Sequence, residues 1–296
     1  MDIEKSICPA CGEKIHQSGF NTANEIILKC ESCLLHFVQK KQILDKQFIK
    51  RYEEGNFWND TNYDIEKMIK TDFTDTQGKH FALNWTSMFE YCKRYLSKKQ
   101  KILEIGVGTG VHMIMFDKNG YDITGVEPDT RNATLITKQL THGKCISGFY
   151  EKQDFQDEFD VIWIFHVMEH VLDPEELLRR CKTFLKNNGL IIIAVPDCEN
   201  PDTLKRSIGN PDHLWHFTKS SLSTIFSKFD CKIEKCDSMA LIADINKQRI
   251  NDRSQKYKFN FLTKKIWPFW PLEITKQNNA KEIRMILRIQ KNKIMK

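Results

Sequence analysis

Hydrophobic positions recur along this chain in two rhythms. Short, nearly unbroken apolar runs alternate with stretches in which apolar residues return every third or fourth position. The runs are Lys101 to Ile105, Tyr121 to Val126, Lys144 to Ile146, Phe159 to Phe165 and Leu190 to Val195. Runs of this kind suit strands covered on both faces, as in a parallel sheet. Between the last two, Leu177, Leu178, Cys181 and Leu185 mark the buried stripe of a helix. Asp173-Pro174-Glu175-Glu176 predicts its start, with Asp as the cap and Pro at the first helical position. Asn187-Asn188-Gly189 predicts its stop. Trp85 to Leu96 predicts another amphipathic helix. Strands alternating with helices imply an α/β fold with helices on both faces of the sheet.

The flanks follow neither rhythm. Cys8-Pro9-Ala10-Cys11 and Cys30-Glu31-Ser32-Cys33 are two CxxC pairs separated by 18 residues, the spacing of a zinc ribbon. Four thiolates, Cys8, Cys11, Cys30 and Cys33, would close the tetrahedral shell of a structural Zn²⁺, with His36 a weaker substitute ligand. So few apolar residues surround them that metal binding would supply much of the local folding energy. Residues 41–97 read as a helical, aromatic-rich linker and a candidate lid. The expected organisation is a ribbon over 1–40, that linker, and one large domain over 98–296 with an insertion at about 238–278.

Composition narrows the setting. The chain has 296 residues, 41% hydrophobic and 28% charged, enough to bury a sizeable core. No secretory leader and no stretch approaching ~20 apolar residues is visible. A cytoplasmic setting is therefore expected, with the ten cysteines as thiols or metal ligands. The net charge of +6 is uneven: from Asn246 onward fourteen Lys/Arg face three Asp/Glu, so the first 245 residues carry −5. Such a basic tail suits nucleic acid, a diphosphate-linked sugar or a membrane surface, or is simply a solvated lysine-rich segment. Trp267-Pro268-Phe269-Trp270-Pro271 within it calls for a packing or binding partner.

The chemistry concentrates between residues 101 and 217. Lys101-Ile-Leu-Glu-Ile-Gly-Val-Gly-Thr-Gly110 runs a buried strand into a glycine-rich turn, and Glu127-Pro128-Asp129 ends the next strand. An acid about 20 residues after such a loop is placed to accept both hydroxyls of a ribose. Dinucleotide oxidoreductases carry a glycine loop too, but here an acid, Glu104, precedes the glycines. It would repel a pyrophosphate and suits a cationic or amino-acid-bearing ligand.

Together, LEIGVGTG, GVEPD, the stretch from FDVIWIFHVMEHVLDP to IIIAVPD, and DHLWHFTKSSLSTIFSKF resemble class I S-adenosylmethionine-dependent methyltransferases, in particular the ubiquinone-biosynthesis and glycan-cluster types, over about residues 80 to 240. The resemblance implies a seven-stranded Rossmann-like sheet, with Cys231–Cys236 as sixth strand and Glu282–Ile289 as antiparallel seventh. It implies S-adenosylmethionine as cofactor, with Glu104, Gly106, Gly108 and Gly110 around the methionine moiety, Glu127 on the ribose, and Pro128 and Asp129 beside the adenine. Where the family often has an acid near the adenine amine this chain has Ser147-Gly148-Phe149, so Phe149 is expected there instead.

The acceptor should lie past the fourth strand, where Phe165-His166-Val167-Met168-Glu169-His170 begins. His166, Glu169 and His170 admit three readings: ligands of a second divalent metal, as the ExxEH of related enzymes implies; an acceptor-side or base role for His166; or a plain turn. His213 and His216 are the other proton-transfer candidates, with Asp212 placed to orient His213. The Asn/Asp-Pro-Pro-aromatic element of nucleobase N-methyltransferases is absent here, which favours an oxygen acceptor. The expected partner is a small-molecule or glycan acceptor such as a sugar precursor for cell-surface polysaccharide. RNA is the alternative acceptor, and a non-catalytic zinc-ribbon scaffold is the third reading.

Overall fold

The computed structural model describes residues 7–21, 25–39, 76–156, 158–240 and 280–291. The expected lid up to residue 75 and the Trp267–Pro271 segment lie outside these residues. The larger sheet joins seven strands: β4 (Lys101–Ile105), β5 (Asp122–Glu127), β6 (Lys144–Ser147), β7 (Phe159–Phe165), β8 (Leu185–Pro196), β10 (Cys231–Met239) and β11 (Glu282–Ile289). Their order is β10-β11-β8-β7-β4-β5-β6. The five strands from β8 to β6 run parallel, and β11 is antiparallel to both its neighbours. This is the expected Rossmann-like sheet, including its antiparallel seventh strand.

Helices α1 (Thr76–Cys92), α2 (Val111–Lys118), α3 (Thr130–Thr137), α4 (Pro174–Phe184), α5 (Pro201–Ile208) and α6 (Lys219–Ser227) cover the sheet. Two apolar cores lie on its opposite faces, one around Phe116, Trp163 and Met88, the other around Ile162, Phe184 and Met285. Trp163 is fully buried in a central strand, and its indole N–H donates to His112 Nδ1 at 2.9 Å, so no donor is stranded. At the start of α4, Asp173 accepts from the amides of Glu175 and Glu176 and Pro174 follows it. The predicted cap is thus in place.

The end of α4 differs from expectation. The helix stops at Phe184, and β8 begins at Leu185 rather than Leu190. Leu185 is fully buried and pairs with Phe159, so the chain joins the sheet early. Lys186 to Gly189 then bulges, with Asn188 at φ 62°, before pairing resumes at Val161 and Leu190.

A second, four-stranded sheet holds the cysteines: β1 (Ile15–Asn21), β2 (Ile26–Cys30), β3 (His36–Val38) and β9 (Trp215–His216). Its last strand comes from the large domain, 177 residues beyond Val38 along the chain at Trp215. Ribbon residues Ile27, Leu35 and Phe37 belong to the same apolar core as Leu214, Trp215 and Phe217.

Candidate active site

Strand order reverses on either side of β4, because β5 lies on one flank and β7 on the other. A crevice forms at the carboxyl ends of strands at such a point. On the β5 flank, Gly106, Gly108 and Gly110 take φ of 70°, 56° and 76°. A Cβ at Gly106 would lie 2.5 Å from Val167 Cγ2, and one at Gly110 2.6 Å from Ile136 Cγ1. Backbone shape and space both demand glycine there. Glu127 reaches back from β5, accepting from Gly108 N at 2.8 Å and Asp129 N at 3.0 Å. Burial raises its pKa to about 7 despite those two bonds. Glu104 is buried, its Oε2 has no partner, and burial together with Glu127 holds its carboxyl well above the usual range. Asp129 caps α3, accepting from Asn132 N at 3.1 Å. Phe149 is half-buried at the end of β6, with Lys152 Nζ 5.4 Å from its ring centre. A glycine cradle flanked by two buried acids, one with a free carboxylate oxygen, fits a cationic nucleoside bearing an amino-acid tail.

On the β7 flank, His166 closes the strand in a left-handed conformation, φ 53°, unusual for a residue with a Cβ. Its amide still donates to Ala194 O at 2.9 Å, which extends the β7–β8 pairing by one residue. Its Nδ1 lies 3.1 Å from Glu169 Oε1 and its Nε2 2.9 Å from Glu282 Oε2. Burial alone would lower its pKa, but these two carboxylates raise it to about 10. A third of the side chain remains open to solvent, 34%, which screens the charge without reversing that direction. His166 is therefore an imidazolium at neutral pH. Both carboxylates answer it: against burial, Glu169 is held down at about 2 by His166, and Glu282 at about 2 by Arg284 and His166. Arg284 is itself buried, reaching Glu282 Oε1 at 2.5 Å and Ser87 Oγ at 2.9 Å. The result is an alternating row, Arg284⁺–Glu282⁻–His166⁺–Glu169⁻.

Beyond the row, Glu169, His170 and His213 bring one carboxylate oxygen and two ring nitrogens within 4.8 Å of one another. His166 stands apart from this trio because both its nitrogens are already engaged, which leaves no lone pair for a cation. Glu169 Oε2 is buried and has no partner. His170 Nδ1 lies 2.8 Å from Asp212 O. A carbonyl only accepts, so Nδ1 is the donor in this pair. His213 is oriented by Ser207 Oγ at 2.8 Å rather than by the carboxylate of Asp212. The same Ser207 oxygen lies 2.8 Å from His216 Nδ1. Burial depresses the pKa of His213 and His216 to about 3, so both rings are neutral. His216 is deep in the ribbon sheet, 1% exposed, and is linked to His213 through Ser207.

A model of the family described as Methyltransferase domain matches residues 80–235, more than half of the chain. The chain belongs to this methyltransferase family. Two proteins named ubiquinone biosynthesis O-methyltransferase, from Glaesserella parasuis and Histophilus somni, are 27% and 26% identical to it over 147 and 167 residues. Those alignments take in 44% and 52% of this chain and 61% and 64% of theirs, so it spans less than two thirds of these relatives. The S-adenosylmethionine dependent methyltransferase of Mesorhizobium loti shares the fold, with a TM-score of 0.50 at 12% identity over 70% of this chain and 97% of its own.

In this methyltransferase domain, sequence reasoning missed Ser207, Glu282 and Arg284. Glu282 is 116 residues from His166, and no local spacing ties the two together. A signal was present nonetheless, since a Glu and an Arg two apart on a strand expected to be buried need partners. Away from the crevice, all four cysteine sulfurs lie within 4.8 Å of one another. Cys8–Cys33 and Cys11–Cys30 are 3.6 and 3.4 Å apart. A tetrahedron with Zn–S of ~2.3 Å needs sulfurs roughly 3.8 Å apart, so the donors fit zinc in both type and spacing. Each knuckle closes on a left-handed residue after its second cysteine, Gly12 at φ 78° and Leu34 at φ 61°. Among the described residues, no helix is long and apolar enough to cross a membrane.

Proposed function

We propose that this protein transfers a methyl group from S-adenosylmethionine to a hydroxyl oxygen of a sugar or glycan precursor. The observation that carries the reading is the cluster of a Glu169 carboxylate oxygen with the His170 and His213 rings after β7, where Glu169 Oε2 is buried without a hydrogen-bond partner. This trio adjoins the glycine cradle, since Val167 packs against Gly106. One carboxylate and two imidazoles with open positions suit a divalent transition metal. When bound, such a metal would lower the pKa of an acceptor hydroxyl. The naming of the relatives as O-methyltransferases and the lack of a nucleobase-type motif after β7 support an oxygen acceptor.

Methyl transfer is an in-line displacement: the acceptor oxygen attacks the methyl carbon, the sulfonium leaves as a thioether, and the hydroxyl proton departs. Holding the two reactants in line can contribute roughly 7–11 kcal/mol. Glu104 and the glycines would hold the methionine end, and Glu127 the ribose. His166, already protonated, cannot take the hydroxyl proton. It pins Glu169 by Oε1 and leaves Oε2 without a hydrogen-bond partner. In the ribbon, Cys8, Cys11, Cys30 and Cys33 would hold a structural zinc.

The second reading, RNA as acceptor, is favoured by the charge excess after Asn246. Label transfer from methyl-labelled S-adenosylmethionine to nucleotide-activated sugars and to protein-free RNA separates the two, and label on RNA alone rejects the glycan reading. Calorimetry that finds no S-adenosylmethionine binding by the folded, zinc-loaded chain would leave only a scaffold role. Metal analysis of Glu169→Ala should show ribbon zinc retained and a second metal lost. A wild-type protein without a second metal would reject the trio as a metal site.

A further inference from the structure

The ribbon is not an appended module, because its sheet is completed by β9, which the acceptor-side loop supplies. His36 pairs with His216 and Phe37 with Trp215 in that ladder. One residue before β9, Leu214 is bonded on both sides. Its carbonyl accepts from Val38 N of the ribbon at 2.9 Å, and its amide donates to Glu169 O at 2.8 Å. Trp215 adds a second amide to the same Glu169 carbonyl at 3.2 Å, and its indole donates to Val171 O at 2.7 Å. Phe37 stacks on Trp215 with ring centres 5.7 Å apart. After β9, Thr218 Oγ1 donates to Cys33 O at 2.9 Å, tying the loop directly to a cysteine knuckle. His213 sits immediately before Leu214, and its ring is fixed by Ser207, which also contacts His216 of β9.

A two-residue strand cannot hold its own conformation and depends on its partner. That partner, β3, belongs to a segment whose small core needs its metal to fold. We infer that the four-cysteine ribbon is a positioning element of the acceptor site, holding Glu169 and His213 in register through Val38, Leu214 and β9. Metal at the four ribbon cysteines then governs the geometry of the trio, although none of those cysteines is a member of it. Backbone partners and outer hydrogen bonds of metal ligands commonly set affinity by 10- to 100-fold. In so far as it concerns metal affinity, this inference rests on the trio being a metal site.

The test uses the full chain in three forms: wild type, Cys33→Ser, and Val38→Pro. The last keeps every cysteine and removes the N–H given to Leu214. Amide hydrogen exchange at Leu214 and Trp215, Mn²⁺ affinity, and S-adenosylmethionine affinity are measured on each. Mn²⁺ prefers oxygen and imidazole to thiolate, so it reports on the trio rather than the cysteines. Both variants should exchange faster at Leu214 and Trp215 and bind Mn²⁺ at least tenfold more weakly. S-adenosylmethionine affinity should stay within twofold, because the cradle lies on the other flank of β4. Unchanged exchange at both amides in Cys33→Ser, with its zinc shown to be lost, overturns the inference. If Cys33→Ser also loses S-adenosylmethionine binding, Val38→Pro decides by the same readouts. Should the wild type bind no Mn²⁺, the metal reading fails and the exchange data alone decide the positioning role.

Discussion

On the β5 flank of β4 the crevice is made of backbone, with three left-handed glycines and a carboxylate that accepts from the amides of Gly108 and Asp129. On the β7 flank it is made of side chains drawn from the β7 turn, the loop before β9 and strand β11. The first flank is fixed within 24 residues, from Glu104 to Glu127. The second gathers His166, His213 and Glu282 from three separate segments and balances their charges underground. A backbone cradle needs few partners and tolerates few substitutions at its glycines. A side-chain cluster can be altered at many positions, but each member depends on the others remaining in place.

Glu282→Ala probes the second flank hardest. It strips the buried Arg284 of its carboxylate and should lower stability by about 3–5 kcal/mol, read by denaturant unfolding. A loss below ~1 kcal/mol would break the contrast, because the charge row would then be ornamental.

Gly106→Ala probes the first flank. A left-handed residue with a Cβ costs about 1–2 kcal/mol, and overpacking against Val167 adds about 1–3 kcal/mol. S-adenosylmethionine binding should be lost in calorimetry while Mn²⁺ binding at the trio persists. Loss of both ligands together would show that the flanks are not separable.

Asp117→Asn is the mildest. Asp117 is buried at the end of α2 and anchors the turn before β6 by accepting from the amides of Thr141, His142 and Gly143. Burial would raise its pKa, but those three donors bring it below the usual value. A depressed folded-state pKa stabilises fully above the unfolded pKa of about 3.9 and is lost as pH falls through the folded value. The variant should be less stable by about 1–3 kcal/mol at pH 7, and the gap to wild type should narrow below about pH 4. A gap that widens in acid would contradict this anchoring.

The contrast also explains what could be read in the sequence. The glycine loop, the Glu127 that ends β5, the Asp173-Pro174 cap and the two CxxC pairs are local patterns whose physics acts over a few residues. Strands β4 to β7 follow from apolar runs for the same reason. The early start of β8 escaped because a bulge with a left-handed Asn188 mimics a helix stop. Ser207 as the orienter of His213, Glu282 as the partner of His166, and β9 as the fourth ribbon strand all rest on contacts between distant segments. Adjacent Asp212 was the natural sequence expectation for orienting His213, yet its carbonyl serves His170 instead.

The span of 116 residues between His166 and Glu282 also has a meaning in time. At ~5–20 residues per second of synthesis, roughly 6 to 23 seconds separate the emergence of the histidine from that of its second carboxylate. The glycine cradle is complete well before then. A nascent chain thus has its nucleoside-binding flank in hand while His166 holds only one of the two acids that fix its charge, and the acceptor flank matures last.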